Sequence, residues 1–215
     1  MSQRFIILVL LLALLSGCGY DRLQATDEPI KAVWEEVLVQ YQHRIKLIPG
    51  FVNTVKGYAS HEMEVLMEVT NSRARVSAIQ ASPELINDKE AFKQYTDAQG
   101  DMMSALSSLL LVAERHPGLK EDGVFRDLLT QLENTEHRIS TARNQYVKVV
   151  QTYNETVRVF PSNVTALIFG FDTKPTLNVE NKAVLSKPKP PRVDYDPSLP
   201  DLGAGFHPAS VVGPD

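Results

Sequence analysis

Cys18 is the residue whose type and surroundings point most directly to a reaction, and it is the single cysteine of the 215-residue chain. It closes Leu15-Ser16-Gly17-Cys18, directly after an apolar run from Phe5 to Leu15 that Arg4 precedes. A basic residue, a short apolar run and small residues are the parts of a secretory leader, and the run is too short to cross a hydrocarbon core of roughly 30 Å as a permanent helix. Small residues ending in a cysteine also match the bacterial lipobox, in which the thiol accepts a diacylglycerol and the leader is cut off ahead of it. The expectation is removal of residues 1–17 and lipidation of Cys18. Two or three acyl chains would hold the mature protein stably, because two exceed the marginal binding of one. The competing reading is an ordinary leader with a chance cysteine. Against it stands the position of the only thiol, at the one place where the motif needs it. A lone cysteine also excludes an intramolecular disulfide and a cysteine-based zinc cluster. Gly19 follows where an aspartate would favour inner-membrane retention, so a source with two membranes leads to the periplasmic face of the outer one.

Other chemistry is weakly represented. Carboxylate-bridged metal sites in helical bundles need Glu-x-x-His on facing helices, because a spacing of three aims both ligands inward. None of the five histidines has a glutamate three residues before it. His61-Glu62 does not continue to a zincin motif, since position 65 is valine, and Glu133 and His137, four apart, read as a solvated helix face. There is no Gly-x-Ser-x-Gly elbow and no glycine-rich loop after a strand to hold phosphates. Arg73, Arg75, Arg138 and Arg143 fall on helical stretches, where pairing with acids such as Glu68 or Glu136 is expected and an anion or partner site is the lesser alternative. The net charge of -4 is interspersed, which leaves no basic footprint for nucleic acid. The residues therefore point to no enzyme, no metal or other cofactor, no evident small-molecule substrate, and no identifiable binding residues.

The elements are legible as apolar stripes. Phe125, Leu128, Leu132, Thr135, Ile139, Ala142, Tyr146, Val149, Tyr153, Val157 and Phe160 recur at steps of three and four, the spacing of one helix face. Such a stripe cannot be buried by one helix alone, so partners are required. Upstream, Ile30, Trp34, Val37, Tyr41, Ile45, Ile48, Val52 and Val55 form a second stripe, with a kink expected at Pro49. Val65, Leu66, Val69, Val76 and Ile79 form a third, opened by Ser60 as cap. Phe92, Tyr95, Gln99, Met102, Leu106, Leu109 and Ala113 form a fourth, opened by Ser82-Pro83-Glu84. Trp34 and the tyrosines lie on these stripes and read as core. The fold class expected is all-α, an antiparallel up-and-down four-helix bundle over residues 27–171, behind a leader (1–17) and a short tether (18–26). Val164 to Phe171 reads mainly as an apolar plug over the bundle end, with an exposed docking patch as the alternative. Eight of the 13 prolines lie beyond residue 171, so 172–215 reads as a disordered tail, with polyproline II favoured at Lys187 to Arg192.

Three blocks carry a resemblance. Leu47 through Glu62, then Arg138-Ile139-Ser140-Thr141-Ala142-Arg143, then Tyr153-Asn154 with Phe160-Pro161-Ser162-Asn163 and Phe169-Gly170-Phe171, together resemble the LemA family of bacterial envelope proteins. Tyr20-Asp21-Arg22-Leu23 is similar to the segment with which that family leaves the membrane. Gly50 and Val147 stand where the family usually has asparagine, which removes two amides from any polar site. Relatives mostly carry an uncleaved N-terminal transmembrane helix, whereas this chain carries a lipobox. The resemblance implies a four-helix bundle facing away from the cytoplasm and no established activity. Two functions are therefore expected to compete: a lipid-anchored, non-enzymatic scaffold or adaptor for envelope proteins, and a ligand- or metal-using bundle with a cryptic site. An isolated polar cluster inside the bundle would favour the second.

Overall fold

A computed structural model describes residues 2–177, with side chains from Gly19 onward. Its elements are α1 (Ser2–Tyr58), α2 (Met63–Ala78), a 3-10 turn (Pro83–Asn87), α3 (Lys89–Glu114), α4 (Pro117–Glu121), α5 (Gly123–Arg158) and α6 (Ser162–Phe169). No strand occurs among the described residues, so the fold is all-α.

The directions follow from which residues meet. Phe51 packs on Phe125, Arg44 on Glu136 and Trp34 on Tyr146, so α1 and α5 are antiparallel. Trp34 meets Phe92, and Arg44 meets Gln99, so α3 runs parallel to α1. The intervening α2 packs against both. The stripes read from the sequence form the shared core: Ile30, Trp34, Val37, Tyr41, Ile45, Ile48 and Val55 on α1, and Phe125, Leu132, Ile139, Ala142, Tyr146 and Tyr153 on α5, are buried. A layer of rings anchors one half of it. Trp34 lies 4.9 Å from Phe92 and 5.1 Å from Tyr146 by ring centroid, and its indole N–H donates to the Ser82 carbonyl at 3.3 Å.

Several boundaries differ from the expected ones. The helix does not wait for Asp27: α1 is continuous through residues 18–26, because Tyr20 to Thr26 contains no breaker and Leu23, fully buried, extends the stripe by two turns. Pro29 therefore falls well inside the helix and not in its first turn, while α1 runs on through Pro49, as its unbroken apolar stripe led one to expect. Ser60 caps nothing. α2 starts at Met63 without a side-chain cap. Ser82-Pro83-Glu84 opens the 3-10 turn, which sends Leu85 and Ile86 into the core, and Asp88 is the true cap of α3, accepting from the Glu90 and Ala91 amides at 3.0 Å each. Phe160, read as the last residue of the α5 stripe, is 74% exposed because the helix stops at Arg158.

At Gly50, where the resemblance led to asparagine, an added Cβ would stand 3.0 Å from Leu128 Cδ2. The missing side chain lets α5 press its leucine against α1. Gly50→Asn is accordingly expected to force the helices apart and lower the melting temperature, which thermal unfolding by circular dichroism would check.

Candidate functional site

Cys18 lies in α1, but its side chain is outside the described ones. The next residue shows where that end of the helix sits. Gly19 is buried, and a Cβ there would come within 2.7 Å of Thr165 Oγ1 and 3.8 Å of Ser162 Cα, so α6 is seated directly on the start of the folded body. The contact uses one face of α6, made by the buried Ser162, Thr165 and Ala166. Gly170, with φ of 73°, ends the helix in the left-handed region that glycine tolerates best, and turns the chain so that Phe169 and Phe171 both meet Tyr20, at 5.0 and 5.7 Å. The other face of α6 is bare. Val164, Leu167 and Ile168 are 48%, 85% and 69% exposed, and Phe160 and Phe169 extend the patch. Of the two expectations for this segment, the small residues of α6 do the plugging and its large apolar residues remain outside.

Beyond Phe171 the chain is strapped back along α5. Tyr153 Oη donates to the Asp172 carbonyl at 3.0 Å and Tyr146 Oη to that of Pro175 at 2.8 Å. Asn154 grips Lys174 reciprocally, its Nδ2 donating to the carbonyl and its Oδ1 accepting from the amide, both at 2.9 Å. The Lys174 ammonium reaches Asn87 Oδ1 at 2.6 Å and Asp27 Oδ1 at 3.4 Å, and Leu177 is buried. Residues 172–177, expected to belong to a disordered tail, are thus held against the helical body. Lys187 to Arg192 lies outside the described residues. Asn154→Ala removes both halves of the grip and should cost about 1–3 kcal/mol, measurable by urea denaturation. Between the strap and the start of α3 lies an open cleft of about 790 Å³, lined in part by Asp27, Asp88, Tyr153, Phe169 and Lys174.

A second polar feature is buried mid-bundle. Arg44, on α1, is 4% exposed; its guanidinium donates to Glu136 Oε1 on α5 at 3.1 Å and to Gln99 Oε1 on α3 at 2.6 Å, and lies 5.1 Å over the Tyr41 ring. Gln99 in turn donates to Tyr95 Oη at 2.9 Å. Glu136 thus meets Arg44, which is outside the four arginines expected to pair with such acids. Of the named arginines, Arg75 pairs with Glu68 at 2.9 Å, Arg138 is exposed, and Arg143 acts electrostatically on Tyr41. The signal for Arg44 was available, since it stands three residues after Tyr41 and four before Ile48, on the buried stripe. The cluster is occupied by its own side chains, which suits it to fixing the register of three helices. Glu133 and His137 are both exposed, and among the described residues no three or more His, Cys, Asp or Glu side chains come together as metal ligands would.

Burial raises the pKa of the core tyrosines: Tyr95 and Tyr153 are pushed up to about 12, and Tyr41 and Tyr146 are also raised. Their folded values lie above the unfolded value of about 10, so the stability they contribute is complete below pH 10 and is lost as pH rises through the folded values. Stability should fall steeply above about pH 10. Urea midpoints measured alongside tyrosinate absorbance would check the coincidence of the two.

Among the described residues no helix is long and apolar enough to cross a membrane. Comparison with known proteins agrees with the residues that suggested a family. Two magnetosome proteins of Paramagnetospirillum magneticum, MamQ 1 and MamQ 2, are each 25% identical over 168 residues, covering 71% of this chain and 62% of theirs. The MamQ magnetosome protein of Magnetospirillum gryphiswaldense is 24% identical over the same span. The chain thus aligns with under two thirds of the length of these relatives. The LemA family itself matches residues 33–195, from the aromatic layer of α1 past the strap on α5, and with three quarters of the sequence inside that match, this chain belongs to the LemA family.

Proposed function

We propose that this protein is a lipid-anchored, non-enzymatic helical scaffold of the bacterial envelope, facing away from the cytoplasm and holding partner proteins close to the membrane. Family membership and the likeness to the magnetosome proteins support membrane association. The observation that carries the finer reading is the seating of Gly19 on α6: one residue after the lipidation candidate Cys18, the chain is already part of the packed body. An anchor at Cys18 would hold the whole helical body at a fixed, short distance from the membrane, which is what a scaffold needs. A flexible tether would only confine it.

The competing reading, a ligand- or metal-using bundle with a cryptic site, finds a polar cluster in the core, as it requires. The Arg44 guanidinium is nonetheless engaged by Glu136 and Gln99, an arrangement that favours a structural role.

Cys18→Ser should release the protein from membranes or leave an unprocessed precursor, as fractionation and intact mass would show; a variant processed and retained like the parent would overturn the lipoprotein reading. Crosslinking in intact cells followed by mass spectrometry should recover envelope proteins. Truncation after Leu177 should leave helical content unchanged and weaken recovery of at least one of them. Turnover of a defined substrate by the purified protein would overturn the scaffold reading.

A further inference from the structure

The exposed face of α6 has an occupant suggested by where α1 leads. α6 rests on Gly19, and from Gly19 the α1 backbone continues as helix toward Ser2 through the apolar stretch Phe5 to Leu15. At 1.5 Å per residue, the near end of that stretch is roughly 6 Å along the axis from the residue touching α6. Whether residues 1–17 stay in the membrane or are exchanged for a lipid on Cys18, the bilayer surface meets the protein at this end. The bare residues at that end are of the types that partition into such a surface. Phe160, Val164, Leu167, Ile168 and Phe169 are all exposed; Val164, Leu167 and Ile168 lie on the outer side of a short helix whose inner side is Ser162, Thr165 and Ala166, and Phe160 stands just ahead of it. A helix lying flat in the interfacial layer presents apolar side chains on one side and uses the other for something else, here the contact with α1.

We propose that α6 is an interfacial membrane foot: its Val164, Leu167 and Ile168, with Phe160 just ahead of the helix, insert among the lipid headgroups and upper acyl chains, beside the N-terminal anchor. This rests on the membrane-anchored reading above and adds a second point of contact. One anchor leaves a body free to tilt and spin about it, whereas two points fix which sides of the helical body face the lipid and which face partners. The cleft between the strap and α3, which Phe169 also lines, would then open close to the headgroup layer.

The test uses the full chain, purified from membranes and reconstituted into phosphatidylcholine vesicles with plain or acyl-brominated lipid. Trp34, the only tryptophan, is fully buried in the core and provides the baseline emission. Ile168→Trp adds a reporter at an exposed site. Expected is co-flotation with vesicles, with the added emission quenched by brominated lipid and the parent emission unchanged. Co-flotation without that quenching would overturn the foot and leave the anchor standing. If the added tryptophan were also shielded from aqueous iodide, the occupant would be protein, and lipid would be wrong. Failure to float would overturn the anchored reading, and the foot with it. As a second variant, Leu167→Glu with Ile168→Glu should keep the parent's melting temperature and still float. Phe160→Trp in that background should then lose the quenching that Phe160→Trp shows in the parent; retained quenching would overturn the role of this face.

Discussion

Arg44→Met should destabilise the protein by about 3–5 kcal/mol, read as a lower urea midpoint with an unchanged slope. The change removes a cation from a site where its carboxylate partner, Glu136, has a side chain only 12% exposed, and where Gln99 is 2% exposed. Glu136 is then left in a poorly hydrated place without its partner, and Gln99 loses the donor to its side-chain oxygen. Most of the cost is the stranding of these two groups, since a buried pair in itself contributes little against an apolar substitute. The same argument predicts a rescue. Adding Glu136→Leu and Gln99→Met to Arg44→Met should recover most of the lost stability, because the stranded groups are gone and the volume is roughly kept. A triple variant as unstable as the single one would mean that the cluster contributes through packing geometry and not through charge.

Trp34→Ala is the second large effect, at about 3–5 kcal/mol, or on the order of 10 °C in melting temperature for a chain of this size. Trp34 is fully buried and touches Phe92, Tyr95 and Tyr146, so its removal opens a void between α1, α3 and α5. It also deprives the Ser82 carbonyl of its indole donor, which loosens the turn leading into α3. Trp34→Phe should cost less, since an aromatic ring still fills much of the space. Near-ultraviolet circular dichroism would separate loss of this ring layer from loss of helix, because the far-ultraviolet signal of a partly loosened core stays close to native.

The all-α class, most of the core and the family were legible in the spacing and motifs of the chain, although Phe160 fell outside the core and Leu23 and Leu177 inside it. The reason is that burial on a helix is a property of spacing: a residue three or four positions from another shares its face, so Ile30, Trp34, Val37 and Tyr41 declare their burial before any partner is known. What meets across that core is a matter of how the helices are arranged in space. Arg44 and Glu136 each stand on a buried stripe, 92 residues apart, and only the antiparallel register of α1 and α5 brings them within 3.1 Å. The strap is of the same kind. Nothing periodic marks Asp172 to Leu177, because an extended segment is held by its backbone groups, and the acceptors and donors that hold it belong to Tyr146, Tyr153 and Asn154 on another element. α6 divides between the two. Its apolar composition is plain in the sequence, but which of its residues are covered depends on the approach of α1, and Gly19, by having no side chain, lets Thr165 in and turns Leu167 and Ile168 outward.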